Sequence, residues 1–438
     1  MKLTFAGALA AALVAAASLH AQTSIDAAFQ TFWNAKSPAE AARHADAVVK
    51  SGVSFDEALR RLKQGRTYGP APKTGVVMLT NRTDDRVDHY YAVNVPSNYD
   101  PAKRYQVRFQ LHGGVMGRAT NQPRNTGDIG ALAGPAEQFY VLPYGWTDAP
   151  WWSDDQVLNF SAIVDSLKRT YNIDENRVAL AGVSDGATGL YYIAMRDTTP
   201  YASFLPLNGF IMVLANPDTG ITAQLYPNNL RDKPWYLING GRDRLYPIAA
   251  VEPYVMHLKK AGVAMDYHPR PDGEHNTAWW PDVKDSFEQF VATHPRNPSP
   301  VRLTWETSDL AHNRAHWLVI DKLGTTSSDV KNLPDANDFS PNDLVDRSLF
   351  EHRGRSGRVD LVRDGNAVEA VSRGVTEFTL LISPDAFDLS QPIKVVANGK
   401  TVFDGKVTPS TATLMKWAAR DNDRTMLYAA EIPIKVGR

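Results

Sequence analysis

Short apolar runs alternate with longer amphipathic stretches over residues 74–294, and this alternation limits the fold more than any other feature. The runs at 105–111 and 177–181 have the length and composition of buried strands. Helical patterns follow some of these runs, for example at 156–170 and 186–196. Strands that alternate with helices predict an α/β fold, in which helices cover both faces of a mostly parallel sheet.

Further strands and helices complete this pattern. Two antiparallel strands at its start are compatible with a sheet that is otherwise parallel. The further strands are predicted at 76–79, 90–95, 139–142, 210–214, 235–238 and 265–268, and the further helices near 248–261 and 280–293.

The pattern ends at residues 295–300, where three prolines in six residues predict a domain boundary. Beyond it, alternating runs flank Asp364-Gly365 and Asn398-Gly399, which are strong hairpin signals. Residues 301–438 are therefore predicted to form a small β-rich, sandwich-like domain. A polar stretch at 322–352 is expected to be an extended loop.

The N-terminus has the features of a cleaved signal peptide. Lys2 precedes an apolar run at 6–17, and Ala21 supplies a small residue for cleavage. A membrane anchor is the alternative, but the run is shorter than the ~20 residues that span a bilayer. We therefore expect residues 1–21 to be removed, no membrane span to remain, and the protein to be secreted or periplasmic.

Residues 22–73 are expected to form a short helical appendage. Ser37 and Glu40 have the spacing of a capped helix start, and Ser54 and Glu57 repeat it.

Charge and cysteine content exclude several classes of function. Lys and Arg total 47 and Asp and Glu total 48, so the formal net charge is −1. Such a chain lacks the basic footprint of a nucleic-acid-binding protein. Because it has no cysteine, disulfides, thiolate metal ligands and cysteine nucleophiles are excluded.

The motif Gly182-Val183-Ser184-Asp185-Gly186 lies between a predicted strand and a predicted helix. A sharp turn there would present the Ser184 hydroxyl as a nucleophile, and small residues at 182 and 186 would let the turn close. The N–H of Asp185, at the helix start, would then face a developing oxyanion. An ordinary turn is the alternative for such a short motif.

His112-Gly113-Gly114 follows a strand upstream of this motif. Gly113 or Gly114 could supply the second oxyanion donor, and His112 is expected to fix the loop rather than act as a base. Taken alone, a plain glycine turn explains the motif equally well.

An acid and a base follow in the order that a catalytic triad needs. Asp243 comes just after the strand at 235–238, and His275 comes after the strand at 265–268. Alternatively, Asp243 is a surface ion-pair partner of Arg242 or Arg244. The order of the motifs favours Ser184 as nucleophile, His275 as base and Asp243 as its partner, a mechanism that needs no metal or cofactor.

With these motifs, residues 74–293 resemble the α/β-hydrolase superfamily, and within it secreted bacterial esterases and polyhydroxybutyrate-depolymerase-like or prolyl-oligopeptidase-like serine hydrolases. The resemblance implies an eight-stranded sheet and hydrolysis of carboxylic esters or peptide bonds. The chain departs from many secreted relatives in having no cysteines. It departs from the large oligopeptidases in showing no obvious propeller pattern before the hydrolase domain. Four motifs carry the resemblance: His112-Gly113-Gly114, Gly182-Val183-Ser184-Asp185-Gly186, Gly240-Gly241-Arg242-Asp243 and Gly273-Glu274-His275-Asn276.

Aromatic residues near the motifs could line a substrate pocket. Trp146, Trp151 and Trp152 follow a strand and are the better candidates, although such side chains also pack loops. The expected partner is a small or polymeric ester, which makes the chain a carboxylesterase. A serine peptidase or polyester depolymerase with the same triad, and a non-catalytic binding module, are the alternatives.

Overall fold

The computed structural model describes residues 22–83, 87–118, 137–325, 335–340, 343–350 and 354–436. The expected signal peptide, residues 1–21, lies outside these described residues. Among the described helices, none combines the length and the apolar composition needed to cross a membrane.

Among the described residues, eight strands form the central sheet. Their bounds are β1 Gly75–Arg82, β2 Asp88–Val95, β3 Tyr105–Leu111, β4 Phe139–Pro143, β5 Ile173–Val183, β6 Ser203–Leu207, β7 Trp235–Gly240 and β8 Met265–Arg270. The spatial order is β1-β2-β4-β3-β5-β6-β7-β8. β2 is antiparallel to both β1 and β4, and the neighbours from β4 through β8 are parallel.

Helices cover both faces of this sheet, so the predicted α/β class is confirmed. Along β5, Val178 and Leu180 belong to one apolar core, and Ala179 and Ala181 belong to another on the opposite face. The helices that follow the strands are α4 Asp154–Thr170, α5 Asp185–Arg196, α6 Ile248–Lys260 and α7 Trp280–Thr293. Helices α4, α5 and α6 pack on the first face and α7 packs on the second.

The strand predicted at 210–214 is wrong. That segment overlaps the 3₁₀ helix Ile211–Ala215, and the strand is β6, a few residues earlier. β6 ends at Leu207, and the next residue, Asn208, has a φ of 50° that turns the chain away from the sheet. Residues 203–207 and 210–214 are similarly apolar. Pro206 disfavours the assignment of a strand to the first segment, whereas the second segment has no proline.

In the C-terminal part, the described residues form two more sheets with a shared apolar core. The strand bounds are β9 Arg302–Thr307, β10 Arg314–Ala315, β11 Leu318–Leu323, β12 Gly357–Asp364, β13 Ala367–Arg373, β14 Val375–Ile382, β15 Ile393–Ala397, β16 Lys400–Gly405 and β17 Ala430–Lys435. The sheet orders are β10-β11-β14-β17 and β16-β15-β13-β12-β9. Both predicted hairpins are present: β12 pairs with β13 and β15 with β16, each antiparallel.

The N-terminal helices pack against a C-terminal helix that the sequence analysis missed. Residues 22–34 form α1, followed by α2 (Pro38–Lys50) and α3 (Phe55–Gln64). They share an apolar core with α8 (Thr411–Asp421). The appendage is therefore helical as expected, but its core is completed from the other end of the chain.

The segment predicted as a loop at 322–352 is only partly described. Where it is described, Ala336, Leu349 and Phe350 are buried in the core of the central sheet. The proposed domain boundaries remain predictions.

Candidate active site

Ser184 lies on a strained turn between β5 and α5. Its φ is 55° and its ψ is −119°, in a region that non-glycine residues rarely occupy. The Ser184 N–H donates to the carbonyl of Leu207 at 3.0 Å, which holds the turn against the end of β6. The backbone is therefore fixed while the side chain projects at the start of the helix.

Glycine at 182 and at 186 is required by contact distances. A Cβ at residue 182 would lie 2.4 Å from the carbonyl oxygen of Gly186. A Cβ at residue 186 would lie 2.4 Å from the carbonyl oxygen of Leu111, at the end of β3. The turn thus closes on itself and on the neighbouring strand only because both positions lack a side chain.

A chain of hydrogen bonds joins the three residues predicted as a triad. His275 Nε2 lies 2.8 Å from Ser184 Oγ, and His275 Nδ1 lies 2.7 Å from Asp243 Oδ2. The Asp243 side chain is fully buried, and its Oδ1 accepts the N–H groups of Leu245 and Tyr246 at 2.8 and 2.9 Å. These two backbone N–H groups therefore fix the orientation of the carboxylate toward the imidazole.

The surface ion-pair alternative for Asp243 does not fit this geometry. Arg242 pairs instead with Asp272 at 2.7 Å, and both of those side chains are exposed.

The loops that carry the acid and the base are tied to each other. The Arg242 N–H donates to the carbonyl of Gly273 at 2.9 Å, and a Cβ at residue 240 would lie 2.4 Å from the same oxygen. Asn208, which sequence analysis missed, donates from Nδ2 to the carbonyl of Asn276 at 2.8 Å. The Asn208-Gly209 pair is a turn signal that could have marked this position.

Tyr246 is a second residue that sequence analysis missed. Its ring meets the His275 imidazole edge-on, with centroids 5.4 Å apart. Burial, together with the charges of Asp185 and Asp243, raises the pKa of Tyr246 to about 12. Its hydroxyl is therefore protonated at neutral pH.

The glycine loop after β3 lies directly against Ser184. A Cβ at residue 113 would lie 3.0 Å from Ser184 Cβ. His112 Nε2 accepts the N–H of Gly145 at 3.1 Å, so its proton is on Nδ1, which donates to the carbonyl of Gly113 at 2.8 Å. Trp151 Nε1 donates to the carbonyl of His112 at 2.9 Å.

Strand order and the positions of these side chains together decide the fold. Ser184 follows β5, Asp243 follows β7 and His275 follows β8, and all three meet at the carboxyl edge of an eight-stranded sheet. The chain has the α/β-hydrolase fold.

Solved structures to which this chain is similar include several esterases. A thermostable esterase is 20% identical, with 50% of this chain and 63% of that chain covered and a TM-score of 0.42. A ferulic acid esterase is 18% identical, with 49% and 97% covered and a TM-score of 0.37. Est1E from Butyrivibrio proteoclasticus is 14% identical, with 50% and 98% covered and a TM-score of 0.38. No protein-family profile and no curated protein matches the chain.

The three tryptophans predicted as pocket lining are placed differently from one another. Trp151 is fully buried, with its ring packed over Gly145 and Gly189, and Trp146 is 4% exposed. These burials favour the alternative that both side chains pack loops. Trp152 is half-buried, and its Nε1 donates to the carbonyl of Thr219 at 3.2 Å.

Among the described residues, one group of three side chains has metal-ligand character: Asp154, Asp309 and His312. Asp154 Oδ1 already accepts the Tyr192 hydroxyl at 2.8 Å and lies 3.4 Å from Arg196 Nε. The guanidinium disfavours a cation at this position.

Proposed function

We propose that this α/β-hydrolase is a serine hydrolase that cleaves carboxylic esters through an acyl-enzyme on Ser184. The supporting observation is the continuous hydrogen-bond chain from Ser184 Oγ through His275 to the buried Asp243. A nucleophile, a base and an orienting acid within hydrogen-bond reach are the arrangement that nucleophilic catalysis requires.

The proposed reaction has two halves. His275 Nε2 takes the Ser184 proton as Oγ attacks the ester carbonyl, and Asp243 stabilises the imidazolium through Nδ1–H. The imidazolium then returns the proton to the departing alkoxide, which leaves as the alcohol. Water attacks the acyl-enzyme with His275 again acting as base, and releases the acid and free Ser184.

The negative oxygen of each tetrahedral intermediate needs hydrogen-bond donors. The N–H of Ser184 is committed to Leu207, so the first helix N–H that could serve is that of Asp185. The loop N–H groups of Gly113 or Gly114 are proposed as the second donor, because this loop lies against Ser184.

Exposed apolar side chains near this site suit acyl or alcohol groups of an ester. Leu245, two residues after Asp243, is 62% exposed, and Met116, two residues after Gly114, is 80% exposed. Half-buried Trp152 remains the proposed aromatic contact. Export of the enzyme is proposed from the signal-like sequence at 1–21.

Steady-state hydrolysis of p-nitrophenyl acetate and butyrate tests the proposal. We expect turnover by the mature chain and its loss, by at least about 10³-fold, in Ser184→Ala. Ser97→Ala, an exposed serine in the same domain, is the matched control and should retain full activity. Equal turnover by wild type and Ser184→Ala would reject Ser184 as nucleophile, and peptide cleavage without ester cleavage would favour the peptidase alternative.

A further inference from the structure

The side chain of Asp185 joins the nucleophile helix to the glycine loop. Its Oδ2 accepts the N–H of Val115 at 3.0 Å, although the two residues are 70 positions apart in sequence. Asp185 enters the proposed mechanism only through its backbone N–H. The carboxylate, which faces the loop instead, has no part in that mechanism.

Close contacts fix where the loop lies but leave one residue of it sterically unconstrained. Gly113 touches Ser184, and Gly186 touches the carbonyls of Leu111 and His112. Gly114 has a φ of 64°, and a Cβ built on it would meet nothing within 4 Å. A glycine with open space around it rotates easily, so sterics alone do not fix the peptide planes on its two sides.

Hydrogen bonds supply the missing constraint on both sides of Gly114. His112 Nδ1–H holds the carbonyl of Gly113, which orients the peptide that carries the Gly114 N–H. The Asp185 carboxylate holds the N–H of Val115, which orients the next peptide. Since the C=O and N–H of a trans peptide point in opposite directions, both planes around Gly114 are fixed.

We infer that Asp185 is a positioning residue, whose carboxylate holds the glycine loop so that its N–H groups meet the oxyanion. This inference rests on the proposed serine-hydrolase function. Because the Val115 N–H already donates to Asp185, it is not available to the oxyanion, which agrees with the proposal of Gly113 or Gly114 as the loop donor. Donors held in place before reaction stabilise the transition state without reorganisation.

Asp185→Ala and Asp185→Asn separate this role from a structural one. Loss of the acceptor in Asp185→Ala should lower kcat on the order of 10- to 100-fold with little change in KM. Affinity for a phenylboronic acid, whose tetrahedral adduct on Ser184 places an oxygen in the same site, should fall by a similar factor. Asp185→Asn keeps an amide oxygen for the Val115 N–H and should restore kcat to within about threefold of wild type.

Asp56→Ala is the matched control, because Asp56 is also an acidic residue in the first turn of a helix but belongs to α3. It should leave kcat and boronate affinity unchanged. If Asp185→Ala does not fold, Asp185→Leu keeps the branching at Cγ without an acceptor and replaces it in the comparison with Asp185→Asn.

Wild-type kcat and boronate affinity in the variant without an acceptor would overturn the inference. So would a failure of Asp185→Asn to rescue, since the charge rather than the hydrogen bond would then matter. Failure of the proposed function has a different signature, namely turnover that persists in Ser184→Ala.

Discussion

At the scale of single residues, the Asp243 carboxylate uses its two oxygens for different purposes. Oδ1 is bound by two backbone N–H groups of its own loop, and Oδ2 meets His275 Nδ1. The first oxygen therefore fixes the side chain, while the second sets the tautomer of the imidazole. A base with its proton on Nδ1 has Nε2 free to accept from Ser184.

Asp243→Asn should lower kcat by roughly 10⁴-fold with little loss of stability. The amide oxygen keeps the bonds from Leu245 and Tyr246, so the NH₂ group must face His275 Nδ1. That donor forces the imidazole proton onto Nε2, which then cannot accept from Ser184. Kinetics with p-nitrophenyl butyrate, alongside thermal unfolding, measure both effects.

Asp272→Asn is the control for this change, since Asp272 is exposed in the neighbouring loop. It should retain activity. An Asp243→Asn variant with more than a tenth of wild-type kcat would contradict the proposed role of Asp243.

At the scale of elements, sequence pattern predicted most of what positions the site. The strand before Ser184 and the helix after it are present, because a buried parallel strand and an amphipathic helix have distinct patterns. Ser410 caps α8 by accepting the N–H of Thr413, so a start signal for that helix was present. The hairpin patterns that precede residue 410 nevertheless favoured a prediction of strands throughout this part of the chain.

Contacts between distant segments could not be predicted from pattern. The bond from Asn208 to the His275 loop and the bond from Asp185 to Val115 depend on which loops meet at the sheet edge. The local sequence of one loop does not specify which other loops it contacts. The burial of Trp151 likewise depends on Gly189, which belongs to a different element.

Asp154, at the start of α4, contacts the C-terminal part of the chain. Its Oδ1 lies 3.5 Å from His312 Nε2. Burial raises the pKa of Asp154, but hydrogen bonds from His312 and Tyr192 and the charge of Arg196 outweigh burial and lower it to about 2.

Asp154→Asn should therefore destabilise the protein at neutral pH but much less in acid. The folded pKa is below the unfolded value of about 3.9, so the stabilisation is present above that value and is lost as pH falls through about 2. The side chain is 45% exposed, so we expect only about 1 kcal/mol near pH 6. Urea unfolding as a function of pH measures the difference between the two proteins.

Asp218→Asn, at an exposed position, is the control and should change stability by less than about 0.5 kcal/mol. A destabilisation by Asp154→Asn that stayed constant from about pH 6 to about pH 3 would argue against a lowered Asp154 pKa.

At the scale of the whole molecule, buried polar contacts join the central sheet to the C-terminal part. Arg296, in the proline-rich linker, donates to Asn176 Oδ1 at 3.0 Å and to Asp423 Oδ2 at 2.8 Å. The Arg296 and Asp423 side chains are almost fully buried. In addition, a shared apolar core packs the N-terminal helices α1, α2 and α3 against the C-terminal helix α8.

Arg296→Ala should lower the free energy of unfolding by about 3–5 kcal/mol, because it leaves the buried Asp423 carboxylate without its partner. Chemical denaturation measures this loss. Arg302→Ala, at an exposed position on β9, is the control and should change stability by less than about 0.5 kcal/mol. Equal effects of the two changes would show that the linker arginine does not hold the two parts together.

The central claim is that Ser184 is an activated nucleophile, and covalent labelling tests it most directly. The mature protein is treated with a fluorophosphonate, and the adduct is located by intact-mass and peptide mass spectrometry. We predict one adduct per molecule on Ser184, none in Ser184→Ala, and much slower labelling in His275→Ala. An unlabelled Ser184, or an adduct on another residue at the same rate in all three proteins, would contradict it.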